Sequence, residues 1–293
     1  MELIYQIWGD KITYSIIAQC QQTGNFGIGV QSHWFASGVV CWAKAGVGAV
    51  ASQAMALVDH GPLGLENMKA GESAFASLQN RLNSDETPEI RQVAMIDSEG
   101  NVAVHTGSQT IPESGHIVGD GFSCQANMMW NGSVWESMYD NFSQSEGDLS
   151  RRILSSLYAA QSKGGDIRGM QSSRILIVSS DPKEKPWEET ILDLRVDDHS
   201  DPLSELERLH DLHDAYTSFE DTRLRNRNHV DVPELAFWKS IELANSGRED
   251  EARNLFKVAS DHDDCWRELL IRCSKNELVG ITKVTLETLL GDH

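Results

Sequence analysis

Positive charge is what this chain lacks most: 25 Lys and Arg stand against 44 Asp and Glu, a net charge of −19. Nucleic-acid binding needs a basic footprint, so that class of function is excluded. An anionic membrane surface is disfavoured on the same ground, and no membrane partner is expected. The acidic balance suits solubility and a cationic or neutral small substrate. Cysteine is sparse too. Cys20, Cys41, Cys124, Cys265 and Cys273 are odd in number, scattered, and form no CxxC pair. That argues against a disulfide framework or a structural zinc site and fits a reducing compartment. Met1-Glu2-Leu3-Ile4-Tyr5-Gln6 has no basic stretch, so it does not read as a secretory signal. Long apolar runs are missing as well. Residues 34–58 come nearest, but Gly38, Lys44, Gly46 and Gly48 interrupt them too often for a membrane span. The expectation is a cytoplasmic protein.

What is present is a layered α+β pattern. With 293 residues the chain fits one large domain or two, and about three quarters of its unfolded surface can be buried without a covalent staple. Residues 12–19 are β-branched and alternate, residues 21–25 are a turn, and residues 26–32 read as the returning strand. Residues 47–53 are small, apolar and glycine-rich, as in a buried strand. Helices are predicted over 62–83, broken near Gly71. A hairpin follows over 91–97 and 102–106, then a loop and strand over 115–129. Residues 133–163 read as helices broken at Glu146-Gly147-Asp148, and strands follow at 174–179 and 190–196. Blocks of strands and blocks of helices predict α+β layers rather than a doubly wound sheet.

The character changes at Asp201-Pro202, a side-chain cap followed by a residue preset for the first helical turn. From there to residue 293 only helices are predicted. Over 233–262, Leu243, a Gly247 turn, Ala252, Phe256 and Ala259 resemble one tetratricopeptide-like hairpin. Phe237-Trp238 is out of register for that repeat. The tail reads either as a helical cap or as a surface for a protein partner.

Two places carry polar residues in patterns that suit chemistry. Residues two apart on a strand share a face, so Thr13 and Ser15 project together as a nucleophile and its helper, or as ordinary strand formers. The second place is the loop Gly164-Gly165-Asp166-Ile167-Arg168-Gly169-Met170-Gln171-Ser172-Ser173, between a helix and a core strand. It sets Asp166, Arg168, Gln171 and Ser172 at one edge of a sheet, where sites gather. The same residues also fit a Gly-Gly helix cap with an internal Asp166–Arg168 ion pair.

A resemblance joins these places. Thr13-Tyr-Ser-Ile-Ile-Ala18, Gly27-Ile-Gly-Val-Gln-Ser-His33, residues 45–53, Arg91-Gln-Val-Ala94 and His105-Thr-Gly107 come first in order. Gly115-His116, Gln125-Ala-Asn-Met128, residues 164–169 and Asp193-Leu-Arg-Val-Asp-Asp-His199 complete the set. Together they resemble the bacterial domain-of-unknown-function 1028 family over residues 13–213. That family is similar to N-terminal nucleophile (Ntn) hydrolases, which implies a four-layer αββα sandwich over residues 13–200. It implies hydrolysis of a small-molecule amide through the Thr13 hydroxyl, with the residue's own α-amine as base and no cofactor. An α-amine titrates near pH 8, so a useful fraction is basic at neutral pH.

Twelve residues precede Thr13 here. While the bond from Ile12 persists, that nitrogen is an amide and not a base. Residues 1–12 are therefore a propeptide to be cut, a misassigned start, or a retained extension that leaves an idle binding protein. Within the implied site, Asp166 orients the amine or Arg168, and Arg168 holds a substrate carboxylate. Gln125 and Asn127 share a strand face, and Asn127 is the candidate oxyanion donor. Ser32 and His33, ending the second strand, are candidate substrate contacts with Ser15, Gln171 and Ser172. A metal site is not assigned: Asp197-Asp198-His199 is dense in ligands but points in different directions, and no HExxH spacing exists. Exposed sheet edges are compatible with a homodimer.

Overall fold

The computed structural model describes residues 10–11, 13–220, 231–276 and 278–291. Its first compact unit ends at His210 and its second runs from Asp211 to His293.

In the first unit, two antiparallel sheets lie face to face between two helical layers. One sheet runs β11 (Thr190–Val196), β10 (Ser172–Val178), β3 (Phe26–Ser32), β2 (Tyr14–Gln19), β9 (Phe122–Ala126) and β8 (Gly115–Gly119). The other runs β1 (Asp10–Lys11), β5 (Gly48–Met55), β6 (Arg91–Asp97) and β7 (Val102–Thr106), with β4 (Cys41–Lys44) also paired to β5. Alternation sorts each strand between a sheet-facing and a helix-facing side. Ile17, Phe26, Ile28, Val30, Leu176 and Val178 of the first sheet meet Cys41, Ala49, Ala51, Ala94 and Ile96 of the second. The alanines on β5 and β6 leave room for the large side chains opposite, which close packing requires.

Helices α1 (His60–Lys69) and α2 (Ala74–Asn83) cover the smaller sheet, packing Leu65, Met68, Leu78 and Leu82 on Val50, Val93 and Met95. Helices α3 (Val134–Gln144) and α4 (Leu149–Ser162) cover the larger one, packing Met138, Phe142, Ile153 and Leu157 on Ile16, Cys124 and Ile175. Gly29 makes the second contact close: a Cβ there would overlap Ile153. Helix α5 (Pro202–Glu220) starts at the expected Asp201-Pro202, and Leu203 and Leu206 join the first unit's core. The described chain is thus an α+β sandwich followed by a helical region.

Among its described residues the second unit holds the end of α5 and helices α6 (Pro233–Asn245), α7 (Glu249–His262), α8 (Cys265–Lys275) and α9 (Lys283–Leu290). Phe237, Ile241, Ala252, Phe256 and Leu270 form its core, with Phe237 and Trp266 ring centres 5.2 Å apart. Leu243, Ala252, Phe256 and Ala259 are all buried. Among the described residues no helix is long and apolar enough to cross a membrane.

Three differences from the sequence reading matter. The strand expected over 12–19 starts at Tyr14, and Asp10 and Lys11 belong to the opposite sheet: Asp10 pairs with Met55 and Lys11 with Ala54. Residues 115–129 hold two strands, turned at Asp120-Gly121, where Gly121 adopts φ +71°. Residues 34–47 contain a 3-10 turn (Ser37–Val40) and β4, too short for a periodic signal.

Candidate active site

Lys11 pairs in the smaller sheet and Tyr14 in the larger, so Thr13 follows a change of sheet. Tyr14 pairs with Gln31 on β3 and with Ala126 on β9. Carried back one residue, that register sets Thr13 between Ser32 and Asn127, and Asn127 N donates to Thr13 O at 3.2 Å. Ser32 in turn pairs with Ser172 on β10. Asn127, Thr13, Ser32 and Ser172 therefore form one row across four adjacent strands. All four are buried, on the strand face that two residues further along β2 presents Ser15 toward the smaller sheet.

The facing sheet answers with two amides. Gln53 Nε2 donates to Thr13 O at 3.2 Å and to Gln92 Oε1 at 2.6 Å. Asn127 Nδ2 donates to the same two acceptors, each at 3.1 Å. The Thr13 carbonyl is thus gripped by two side-chain amides and one backbone N–H. Ser15 Oγ donates to Gln53 Oε1 at 2.7 Å and accepts from Gln125 Nε2 at 2.8 Å; Gln125 Oε1 accepts from Ser123 Oγ. Gln92 Nε2 reaches Ala126 O, Gly115 O and Thr106 Oγ1, and Thr106 Oγ1 lies 2.8 Å from His116 Nδ1. Burial holds the His116 imidazole below its ordinary value, and His105 adds to that. Amides buried this deeply would be costly unpaired, and here they are paired across the sheets. Ser15 and Gln125 are bonded to each other within this network.

The loop of residues 164–171 forms a second group at the same end. Gly164 and Gly165 adopt φ +100° and +58°, which ends α4 and turns the chain to Asp166. The buried Asp166 carboxylate accepts from His33 N at 3.0 Å and Arg168 N at 2.9 Å. Arg168 Nη2 adds an ion pair at 2.9 Å and Arg168 Nε a bond at 3.1 Å. Asp166 also bridges to Met129, just past Asn127. The two groups meet through β3: Ser32 flanks Thr13, and the next residue donates to Asp166. His33 Nδ1 lies 3.3 Å from Met170 O. Gln171 donates its side chain to Asp198 and its N–H to Ser32 O. Ser172 Oγ lies within hydrogen-bond reach of Trp34 O and Ser37 Oγ and accepts from Ser37 N.

The non-glycine residues with left-handed backbone, among those described, are Ala36, Ala54, Glu113 and Met128. Ala54 pairs with Lys11, Met128 follows Asn127, and Glu113 O accepts from Met129 N. Such conformations cost about 1–2 kcal/mol each and collect at functional sites. Close by, Arg91 ties this end together by donating to Met55 O and to both carboxylate oxygens of Asp85. Burial pushes the Asp85 carboxyl up, but Arg91, the Thr87 N–H and His60 outweigh it and hold it well below the usual carboxylate range. Burial depresses the His60 imidazole, only partly offset by Asp85.

Among the described residues no three His, Cys, Asp or Glu side chains converge as metal ligands. Asp197 pairs with Arg195, Asp198 with Gln171, and His199 Nδ1 accepts from Asp201 N.

A family model described as a family of unknown function, DUF1028, matches residues 13–206. The chain belongs to this family. The DUF1028 match begins at Thr13, so the residues upstream of the sheet crossing lie outside it. Among solved structures, DUF1028 protein SPO2555 from Silicibacter pomeroyi is similar, at 27% identity and a TM-score of 0.61. The similarity covers 69% of this chain and 88% of that one. No curated protein is detectably similar.

Gln53 and Gln92 were not among the expected site residues. Each lies in a DUF1028-like block, but an amide on a strand gains a role only once the two sheets are laid over one another.

Proposed function

We propose that this DUF1028 protein is an N-terminal-nucleophile amidohydrolase with Thr13 as nucleophile. The observation that carries the reading is the placement of Thr13: buried between the sheets, in a row with Asn127, Ser32 and Ser172, its carbonyl fixed by Gln53 and Asn127. A nucleophile must be held still, and buried network hydrogen bonds do that.

Activation begins with scission of the Ile12–Thr13 bond. The Thr13 hydroxyl adds to the Ile12 carbonyl, the C–N bond breaks as the nitrogen takes a proton, and water hydrolyses the resulting ester. The product is a free α-amine on Thr13. In turnover that amine takes the hydroxyl proton while Oγ adds to a substrate amide, then passes it to the leaving nitrogen. Water cleaves the acyl-Thr13 ester by the same base. General-base help of this kind contributes about 10²–10⁴-fold in rate. Asn127 is the oxyanion donor of this scheme once its bond to Gln92 is exchanged for one to substrate. Asp166 positions the His33 and Arg168 backbone, and Arg168 holds a substrate carboxylate. Ser32, Ser172 and Gln171 line the approach.

The experiment is amide hydrolysis by wild type and Thr13→Ala, with the N-terminus of each determined. Activity confined to molecules that begin at Thr13 supports the reading. Full activity in Thr13→Ala, or in molecules that keep residues 1–12, overturns it. No hydrolysis by wild type that keeps residues 1–12, with a protein captured by the full chain and lost on deleting residues 202–293, would favour an idle binding protein whose helical unit recruits a partner.

A further inference from the structure

The edge of β5 carries two neighbours in succession. β4 pairs with it over Gly48–Ala51, and β1 takes over at Ala54 and Met55. On its other side β5 is paired with β6 through Ala54. Once the chain is cut before Thr13, the β1 segment has no covalent tie to this edge. The backbone pairing seen among the described residues, two residues long, is too short to hold a free segment, since even a complete isolated hairpin is marginal in water. The edge at Ala54–Met55 is then unpaired, and an unpaired edge is a template for another extended chain.

That edge is built rather than loose. Arg91 donates to Met55 O and is itself clamped by Asp85, and Ala54 is held in a left-handed conformation. A small pocket adjoins it, lined by Ala54, Met55, Ile90, Gln109, Thr110, Ile111 and Asn127. Four of these side chains are apolar, and one of the polar three, Asn127, bonds Thr13 O.

We propose that the Ala54–Met55 edge is the seat for the acyl side of the substrate, which is an extended, peptide-like chain. The inference rests on the hydrolase reading and specifies its substrate class. Two substrate residues pair with β5 as Asp10 and Lys11 do, the scissile carbonyl follows next to Thr13, and an apolar side chain enters the Ile90–Ile111 pocket. The upstream segment is thereby both first substrate and first occupant. A simple acyl group without backbone amides forfeits the pairing.

The test uses the full chain with a factor Xa recognition sequence replacing residues 9–12, folded and then cut to leave Thr13 first. Hydrogen exchange at the Ala54 and Met55 amides is read before the cut, after removal of the released segment, and after adding millimolar tripeptide Asp-Lys-Ile. The expected result is exchange about ten-fold faster after the cut, with protection restored by the tripeptide and not by its N-methyl-lysine analogue. The cut protein should cleave the anilide of acetyl-Asp-Lys-Ile about 100-fold faster in kcat/KM than acetanilide. Ile111→Asp, at an exposed position that spares the fold, should lower that rate about ten-fold. Equal rates on the two anilides, with no protection by the tripeptide, overturn the edge assignment and leave the hydrolase intact. Protection by the tripeptide with neither anilide cleaved keeps the edge as a peptide seat and removes the hydrolase reading instead.

Discussion

The space between the two sheets has an apolar half and a polar half, and they are held by different physics. In the apolar half, Ile28, Val30 and Leu176 interdigitate with Ala49, Ala51 and Ala94. Stability there follows buried area, and a substitution is felt in proportion to the volume it removes. In the polar half, Thr13, Ser15, Gln53, Gln92, Gln125 and Asn127 occupy equally buried positions along the same strands. Burial there is unfavourable until every donor meets an acceptor, so the network is sensitive to chemistry more than to volume. A protein selected only for stability gains little from such a set. The contrast is why the proposed site is set in the polar half.

Substitutions separate the halves. The largest effect expected is on activity, from the polar half: Thr13→Ala lowers amide hydrolysis by at least about 10²–10⁴-fold while the melting temperature changes little. Steady-state kinetics with calorimetry reads both. Next comes the apolar half, where Ile28→Ala costs about 3–4 kcal/mol in denaturant unfolding and leaves kcat per folded molecule unchanged. Gln92→Leu probes the network without changing volume much. It removes the acceptor for Gln53 Nε2 and Asn127 Nδ2, costs about 2–3 kcal/mol, and lowers kcat as well. If Gln92→Leu lowered stability alone, as Ile28→Ala does, the two halves would not differ in the way described.

The smallest effect is of pH. His60 is held below its ordinary value by burial, so the folded state binds that proton more weakly than the unfolded chain. Its contribution is complete above the unfolded value of about 6.5 and is lost as pH falls below it. Asp85, also depressed, adds the same sign in a lower window, below about pH 4. The melting temperature should therefore fall between pH 7 and pH 5, and fall less in His60→Gln, as calorimetry across that range would show.

Much of this was legible from residues alone. The strand over 26–32, the helix entering the Gly164-Gly165 turn, the hairpin after Arg91 and the helix start at Asp201-Pro202 all carry local signals: alternation, capping or turn chemistry. Thr13 with Ser15, and Gln125 with Asn127, needed only the two-residue period of a strand. What was not legible depends on contacts distant in sequence. Nothing local says that Asp10 and Lys11 pair with a different sheet from Tyr14, because a two-residue strand has no period. Gln53 and Gln92 gain meaning only when β5 and β6 are laid over β2, which sequence spacing does not encode. Asp166 was read at a sheet edge; that it ties the end of β3 to the turn after β9 is a matter of topology.

The central claim is that Thr13 works with a free α-amine, and the intact mass of the purified protein tests it most directly. Wild type is expected to begin at Thr13, and Thr13→Ala to keep the residues before it. Wild-type protein that hydrolyses amides while still carrying residues 1–12 would contradict it.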